Sequence, residues 1–211
     1  MVKKEEEKYS LEDYLVYRDL LETSSSENSD KVIFNDSFVH AAMVLAYILD
    51  KAIKGDVRDI NMYCGKFSLF RDSAKNALAK QRARVKPADD DENRMEQWKS
   101  FDPYKLLIEK LSDYFGKEGY MKVIIESEIS EIVNEGIWTH IEKYVKNNQL
   151  KFYKLGLPLG LNHFVVAGNS YRQENDDKEK TALCCFNDEV KCARLRKNFK
   201  VLNLLSNPYS I

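Results

Sequence analysis

Apolar and polar positions along the chain follow two rhythms, one helical and one extended. Val39, Ala42, Leu45, Ala46, Leu49 and Ile53 recur at intervals of three and four, Asp36 or Ser37 can cap the start, and Gly55 follows as a terminator. One apolar face is clear, and an apolar surface nearly all round would mean burial between layers. Ahead of it, Ser10-Leu-Glu-Asp13 with Tyr14, Leu15, Leu20 and Leu21 reads as a capped short helix, followed by a Ser-rich loop over residues 23–30. Residues 57–63 are β-like. The continuous apolar run in Tyr120-Met-Lys-Val-Ile-Ile-Glu126 suits a strand buried on both faces. Between these two lie a helix after Phe70, a polar stretch over 85–93, and a helix opened by Asp102-Pro103. The last of these buries Leu106, Leu107, Ile108, Leu111 and Phe115 and ends at Gly116 or Gly119.

One further helix is predicted over 130–146, from Ile132, Val133, Ile137, Ile141, Tyr144 and Val145, with a short strand over 150–154 behind it. Helix and strand thus alternate three times, the signature of crossover units and a sheet that is at least partly parallel. The last third changes character. Residues 163–167 and 170–174 read as two strands around Gly168-Asn169, a third strand covers 181–186, and a final helix is capped by Asn187 or Asp188. Its expected buried face is Val190, Ala193, Leu195, Phe199, Leu202 and Leu205. The fold class is therefore α/β, a mixed, partly parallel sheet flanked by helices, with a helical N-terminal extension at residues 1–30 and the α/β domain at 31–211.

Composition narrows the picture. The 211 residues carry 33 Lys+Arg against 34 Asp+Glu, enough chain for one core with a small appendage and too balanced for a general polyanion binder. Only 8 Gly and 4 Pro disfavour a many-turned all-β chain. Four cysteines, two of them adjacent, with no CxxC pair, imply neither a disulfide framework nor a structural zinc site. Free, mostly buried thiols in a reducing, cytoplasmic compartment are expected, and of the Cys184–Cys185 pair one is expected in the core and the other toward a helix or pocket. The charged run at residues 1–8 reads as neither signal nor anchor, and no apolar stretch suits a membrane span. No cofactor and no metal are expected, since the acidic run Lys86-Pro-Ala-Asp-Asp-Asp-Glu92 has no framework to fix ligands.

Three histidines are the candidates for proton transfer or phosphoryl chemistry. His40, in the first turn of an apolar helix, and His140, mid-helix, read as structural. His163 opens a strand directly after Gly156-Leu-Pro-Leu-Gly-Leu-Asn162, where a loop delivers a side chain to the sheet. Gly65-Lys-Phe-Ser68, after the first crossover strand, is a second candidate segment, in which Lys66 and Ser68 can meet a phosphate; it lacks the GxxxxGK[ST] pattern, and a plain strand-to-helix connection is the preferred reading. Basic residues gather at Lys151 and Lys154, and at Lys191, Arg194, Arg196, Lys197 and Lys200, as a solvated helix face or a cover for a phosphate backbone.

The block Asn162-His-Phe-Val-Val-Ala-Gly-Asn-Ser-Tyr-Arg172, then Ala182-Leu-Cys-Cys-Phe-Asn-Asp188 and the amphipathic helix to Leu205, resembles the terminal portion of a phospholipase D-like half. The helix–strand repeats from about Val32 are similar in order to the rest of one. In that superfamily a strand carries His-x-Lys-x4-Asp; here His163 matches the histidine, while Val165 and Ser170 stand at the lysine and aspartate positions. The resemblance implies His163 as the catalytic nucleophile of an active member, with Arg172 or Lys154 replacing the missing positive charge. It also implies a homodimer or a related subunit, the two histidines facing across a two-fold axis. The missing lysine and aspartate favour a non-catalytic or adaptor protein whose partner is nucleic acid or a phosphate-bearing ligand; the alternative is a metal-independent phosphodiesterase or nuclease.

Overall fold

The computed structural model describes residues 11–70, 72–84, 92–176 and 181–209. Among the described residues, eight strands form one mixed sheet. In chain order they are β1 (Ile33–Asn35), β2 (Asp59–Cys64), β3 (Tyr120–Ile125), β4 (Leu150–Leu155), β5 (Phe164–Ala167), β6 (Ser170–Asp176), β7 (Thr181–Cys185) and β8 (Ser206–Pro208). Across the sheet the order is β1-β7-β6-β5-β2-β3-β4-β8. β2, β3 and β4 run parallel, as the crossovers predict, and all other pairings are antiparallel. The β5–β6 hairpin turns at the expected Gly168-Asn169, with Gly168 in the left-handed region at φ 53°.

The helices are α1 (Leu11–Ser26), α2 (Phe38–Lys54), α3 (Asp72–Arg84), α4 (Glu92–Ser100), α5 (Pro103–Gly116), α6 (Ser130–Val133), α7 (Trp138–Lys146) and α8 (Glu189–Leu204). Ser37 caps α2 by accepting from the His40 N–H, Asp102 caps α5 through the N–H groups of Tyr104 and Lys105, and Asp188 caps α8 through Lys191. α2 is buried nearly all round, from Val39 to Ala52, because it lies between the sheet and the outer helices α1 and α5. The principal core joins α1, α2, α3, α5 and α7 to one sheet face. A second, smaller core packs Cys192, Leu195, Phe199 and Leu202 of α8 on Tyr63, Ile124, Phe164, Val166 and Tyr171 of the other face. Cys184 enters the first core and Cys185 the second, and all four cysteines are free and buried.

Several elements depart from the sequence expectation. α1 continues through residues 23–26, expected to be loop, and its expected cap Ser10 lies outside the described residues. The acidic run over 86–92 also lies outside them, apart from Glu92, which opens the unexpected helix α4. The short edge strands β1 and β8 carry too few residues to show a period. The single helix expected over 130–146 is two, because Asp72 of α3 captures the connection: its N–H donates to Glu135 Oε2 at 2.8 Å and its Oδ2 accepts from the Gly136 N–H at 2.9 Å. On α8, Val190, Ala193 and Leu205 face outward, and Cys192 takes the inward position instead.

The α5–β3 turn depends on close contact. Tyr114 donates its hydroxyl to the carbonyls of Arg58 and Tyr120 at 2.6 and 3.0 Å, and its ring lies across Gly119, where an added Cβ would sit 2.4 Å from Cζ. Gly119→Ala is therefore expected to cost about 1–3 kcal/mol in urea unfolding, whereas Gly116→Ala, with no heavy atom within 4 Å of the new Cβ, is expected to leave stability intact or raise it. Equal midpoints for the two variants would contradict this account of the turn.

Candidate ligand pocket at the strand ends

β2 and β3 end side by side at Cys64 and Ile125, and β5 starts beside them because it runs antiparallel to β2, with Tyr63 opposite Phe164. Loops leaving neighbouring strand ends open a crevice, a favoured place for ligands in α/β sheets. Here it is a cavity of about 450 Å³ with an apolar wall of Leu45, Met62, Phe164 and Val165. Lys66, Ser68, Glu126 and Ser127 from the two strand-end loops, Glu131 of α6, and His163, Arg172 and Glu174 supply its polar groups.

Register explains how the last three meet. Val165 lies opposite Arg172, and side chains alternate, so His163, Arg172 and Glu174 project on the same sheet face. The Glu174 N–H donates to the His163 carbonyl at 2.9 Å, which fixes the pair at the mouth of the hairpin. Glu174 Oε2 then lies 2.8 Å from His163 Nδ1, and Arg172 donates from Nη1 to Glu174 Oε1 at 3.3 Å. Arg172 Nε also donates to Asn35 Oδ1 at 3.2 Å, and the buried Asn35 donates from Nδ2 to the Ala182 carbonyl at 3.1 Å. A chain of side chains from β1, β6 and the start of β5 thus holds the imidazole from behind.

The front of the ring rests on the chain itself. A Cβ on Gly65 would come within 3.2 Å of His163 Cε1 and Nε2, so a side chain here would push the imidazole back from the strand end by a few tenths of an ångström. Tyr63 meets the ring edge-on at 5.3 Å and donates its hydroxyl to Glu126 Oε1, which also accepts the Leu159 N–H at 3.3 Å. The N–H groups of Glu126 and Ser127 both donate to the Gly65 carbonyl at 3.0 Å, locking the two strand-end loops together. Between them Phe67 is held at φ 54°, a strained conformation for a bulky residue, with its ring stacked on Phe70. Among the described residues, the buried Ser127 Oγ at this cavity makes no hydrogen bond.

Burial alone would raise the Glu174 carboxyl, but the His163 hydrogen bond and the Arg172 charge outweigh it and hold the group below the usual carboxylate range. Burial pushes the Cys64 thiol, also at the cavity, up to about 12, so it is protonated and unreactive at neutral pH.

The structure brings His163, Arg172, Lys66 and Ser68 to one cavity. Lys154 is elsewhere, paired with Glu128. Val165 is part of the buried wall, and Ser170 is buried with its hydroxyl donated to the Phe186 carbonyl at 3.1 Å. His40 is buried, stacked on Tyr17 at 3.8 Å with Asp36 at 3.4 Å, and His140 is exposed on α7. On α8, Lys191 lies over the Tyr171 ring at 5.9 Å, Arg196 donates to the Gly168 carbonyl, and Arg194, Lys197 and Lys200 are exposed. Sequence reasoning missed Glu174, Asn35, Glu126, Tyr63 and Ser127. For Glu174 one signal was present, its two-residue spacing from Arg172 on the same strand.

No family model matches the chain, and none of the curated proteins matches it. Solved structures do. The chain is similar to TrmBL2, an archaeal chromatin protein with a novel mode of DNA binding, at 9% identity and a TM-score of 0.50 over 92% of this chain and 61% of that one. It therefore spans about three fifths of that protein's length. It is also similar to Nuc from Salmonella typhimurium, a phospholipase D family member, at 11% identity and a TM-score of 0.47 over 86% of this chain and 97% of that one. At 9% identity, the likeness to the chromatin protein is one of fold.

Two outcomes follow for the site. Glu174→Gln is expected to lower stability by about 1–3 kcal/mol near neutral pH, read from urea unfolding. Because the folded carboxyl titrates below its unfolded value of 4.5, its contribution is complete above that value and is lost as pH falls through the folded pKa. The gap between wild type and variant should thus close in acid, and a gap that stays constant would show that the carboxylate charge is irrelevant. Separately, the four buried thiols are expected to resist iodoacetamide in the native protein and to react at once in denaturant.

Proposed function

We propose that the chain is a non-catalytic binding domain on a phospholipase D-like half, and that the cavity beside His163 receives a small phosphate-bearing ligand. One observation carries this reading: Arg172, the cation nearest the motif position, is bonded to Glu174, which also holds the His163 imidazole, and the buried Val165 stands where the resemblance calls for a lysine. Phosphoryl transfer requires fixed positive charge where the phosphate oxygens gain negative charge. A cation already neutralised by a carboxylate supplies less of it. Holding a ground-state phosphate asks less, and the remaining N–H groups of Arg172, with Lys66 and Ser68, offer charge-assisted hydrogen bonds. Glu126, Glu131 and Glu174 offset those cations, which favours a small ester over a polyanionic backbone. The buried free thiols agree with the expected reducing, cytoplasmic setting, and the resemblance implies a second copy or a related subunit.

A second reading, a metal-independent phosphodiesterase or nuclease with His163 as nucleophile, is favoured by the acid that orients the imidazole at the cavity. Titration calorimetry and turnover separate the two. p-Nitrophenyl phosphate is expected to bind wild type saturably, and Arg172→Ala is expected to weaken it about tenfold or more. Bis(p-nitrophenyl) phosphate and a short oligonucleotide, with EDTA present, are expected to be turned over no faster by wild type than by His163→Ala. Turnover lost in His163→Ala would replace the binding reading with the phosphodiesterase one, and absence of phosphate-ester binding by wild type would sink the first.

A further inference from the structure

α8 carries five cations and one acid, in a chain whose totals nearly cancel at 33 Lys+Arg against 34 Asp+Glu. It crosses its face of the sheet obliquely. The Asp188 N–H at its start donates to the Asn169 carbonyl at 2.9 Å, at the turn beside the beginning of β2, and past its end Ser206 pairs with Leu155 at the far end of β4. The beginnings of β3 and β4 are therefore left bare on that face. Side chains alternate along a strand, so Tyr120 and Lys122 share the face of Ile124, and Lys151 shares that of Tyr153, both of which pack toward α8. Lys122 and Lys151 stand directly opposite each other in the register.

Lys122, Lys151, Arg194, Lys197 and Lys200 are all exposed, and among the described residues none of them makes an ion pair. Cations elsewhere do: Lys54 and Lys110 meet Asp50, Arg58 meets Asp56 and Glu118, and Lys154 meets Glu128. Against the five, this face sets Asp59 at the start of β2 and Glu189 at the start of α8. Like charges directly opposite on neighbouring strands are destabilising. An open lysine pair without a counter-charge is explained by an anion supplied from outside.

We infer that this bare sheet surface, walled by α8, binds single-stranded nucleic acid. On one flank of α8 Lys191 lies over the Tyr171 ring of β6; on the other Arg196 donates to the Gly168 carbonyl, and Lys200, one turn further, continues that flank above the bare strands. A helix is about 10 Å thick, so the α8 cations and the floor lysines stand at two heights, an angle that receives a strand laid along it. Tyr120, 48% exposed, and the half-buried Tyr153 lie beside the lysines and offer ring faces to unpaired bases. A duplex keeps its bases stacked within itself and has no use for them. A flat anionic bilayer would rest on the outer ridge of α8, Val190, Val201 and Leu204, and leave the floor lysines without contact. His163, Arg172 and Glu174 project on the opposite sheet face with Val165, so the surface is separate from the cavity, and its failure and that of the phosphate-ester reading are distinguishable.

Fluorescence anisotropy of a labelled thymidine oligonucleotide of about 15 nucleotides, titrated with the full chain, is the test, with circular dichroism to confirm that each variant folds. Wild type is expected to bind, and with five phosphate contacts to lose affinity on the order of 100-fold between about 50 and about 200 mM salt. Lys122→Glu with Lys151→Glu is expected to weaken binding about tenfold or more, and Tyr120→Ala about fivefold. Lys105→Glu with Lys146→Glu makes the same change in net charge on α5 and α7, across the sheet, and is expected to bind within about twofold of wild type. No binding by wild type, or equal losses in the two charge-reversed variants, would overturn the inference. A duplex bound as tightly as the single strand, with Tyr120→Ala without effect, would also overturn it, leaving a surface that reads the phosphate backbone alone. Wild type that ignores the oligonucleotide yet co-sediments with phosphatidylserine vesicles would reassign the face to a lipid surface.

Discussion

β2 pairs in parallel with β3 on one side and antiparallel with β5 on the other, and nearly everything of functional interest depends on this change of direction. A parallel neighbour sets two carboxyl ends together, so the loops after Cys64 and Ile125 leave at the same level. The antiparallel neighbour brings the start of β5 to that level as well. Three chain segments, distant in sequence, therefore converge without any of them being long. The loops are kept short by bonding to each other, through the Gly65 carbonyl, and the cavity is what remains between them.

Within the cavity, electrostatics are arranged around Glu174. The carboxylate is only partly shielded from water, yet it accepts from an imidazole and a guanidinium, and its depressed pKa reflects both. Arg172 is in turn held by Asn35, so the position of the imidazole depends on a strand at the far edge of the sheet. This is a site in which orientation has been secured at the expense of free charge. Stabilising a transition state depends most on uncompensated charge, and it is on this contrast that the proposed binding role rests.

Much of the frame was legible in the sequence because it rests on local chemistry. The caps Ser37, Asp102 and Asp188, the Gly168-Asn169 turn and the apolar run of β3 each act within a few residues of where they are read. His163, Lys66, Ser68 and Arg172 were legible as candidates, yet their meeting in one cavity was not, since it arises from pairing across the sheet. The same reason hid Glu174, whose partner is eleven residues away along the chain and opposite it in register. Residues 134–137 read as helix from the apolar spacing on either side, although Asn134 and Gly136 are local stop signals; the break is then held by Asp72, more than sixty residues earlier. The outward turn of Val190 and Leu205 on α8 is likewise set by which stripe meets the sheet, and two stripes of that helix were apolar enough to serve.

The pairing of β1 with β7 also bears on the order in which the molecule assembles. Asn35 and Ala182 are separated by 147 residues, whereas the β5–β6 hairpin closes over a two-residue turn. Ordering so long an intervening segment costs chain entropy that only a nearly complete sheet can repay, so this edge is expected to close late in folding. Because Asn35 carries the bond that steadies Arg172, the pocket would reach its final geometry only at that late closure. A nascent or partly folded chain would then hold the histidine and the hairpin without yet holding the finished cavity.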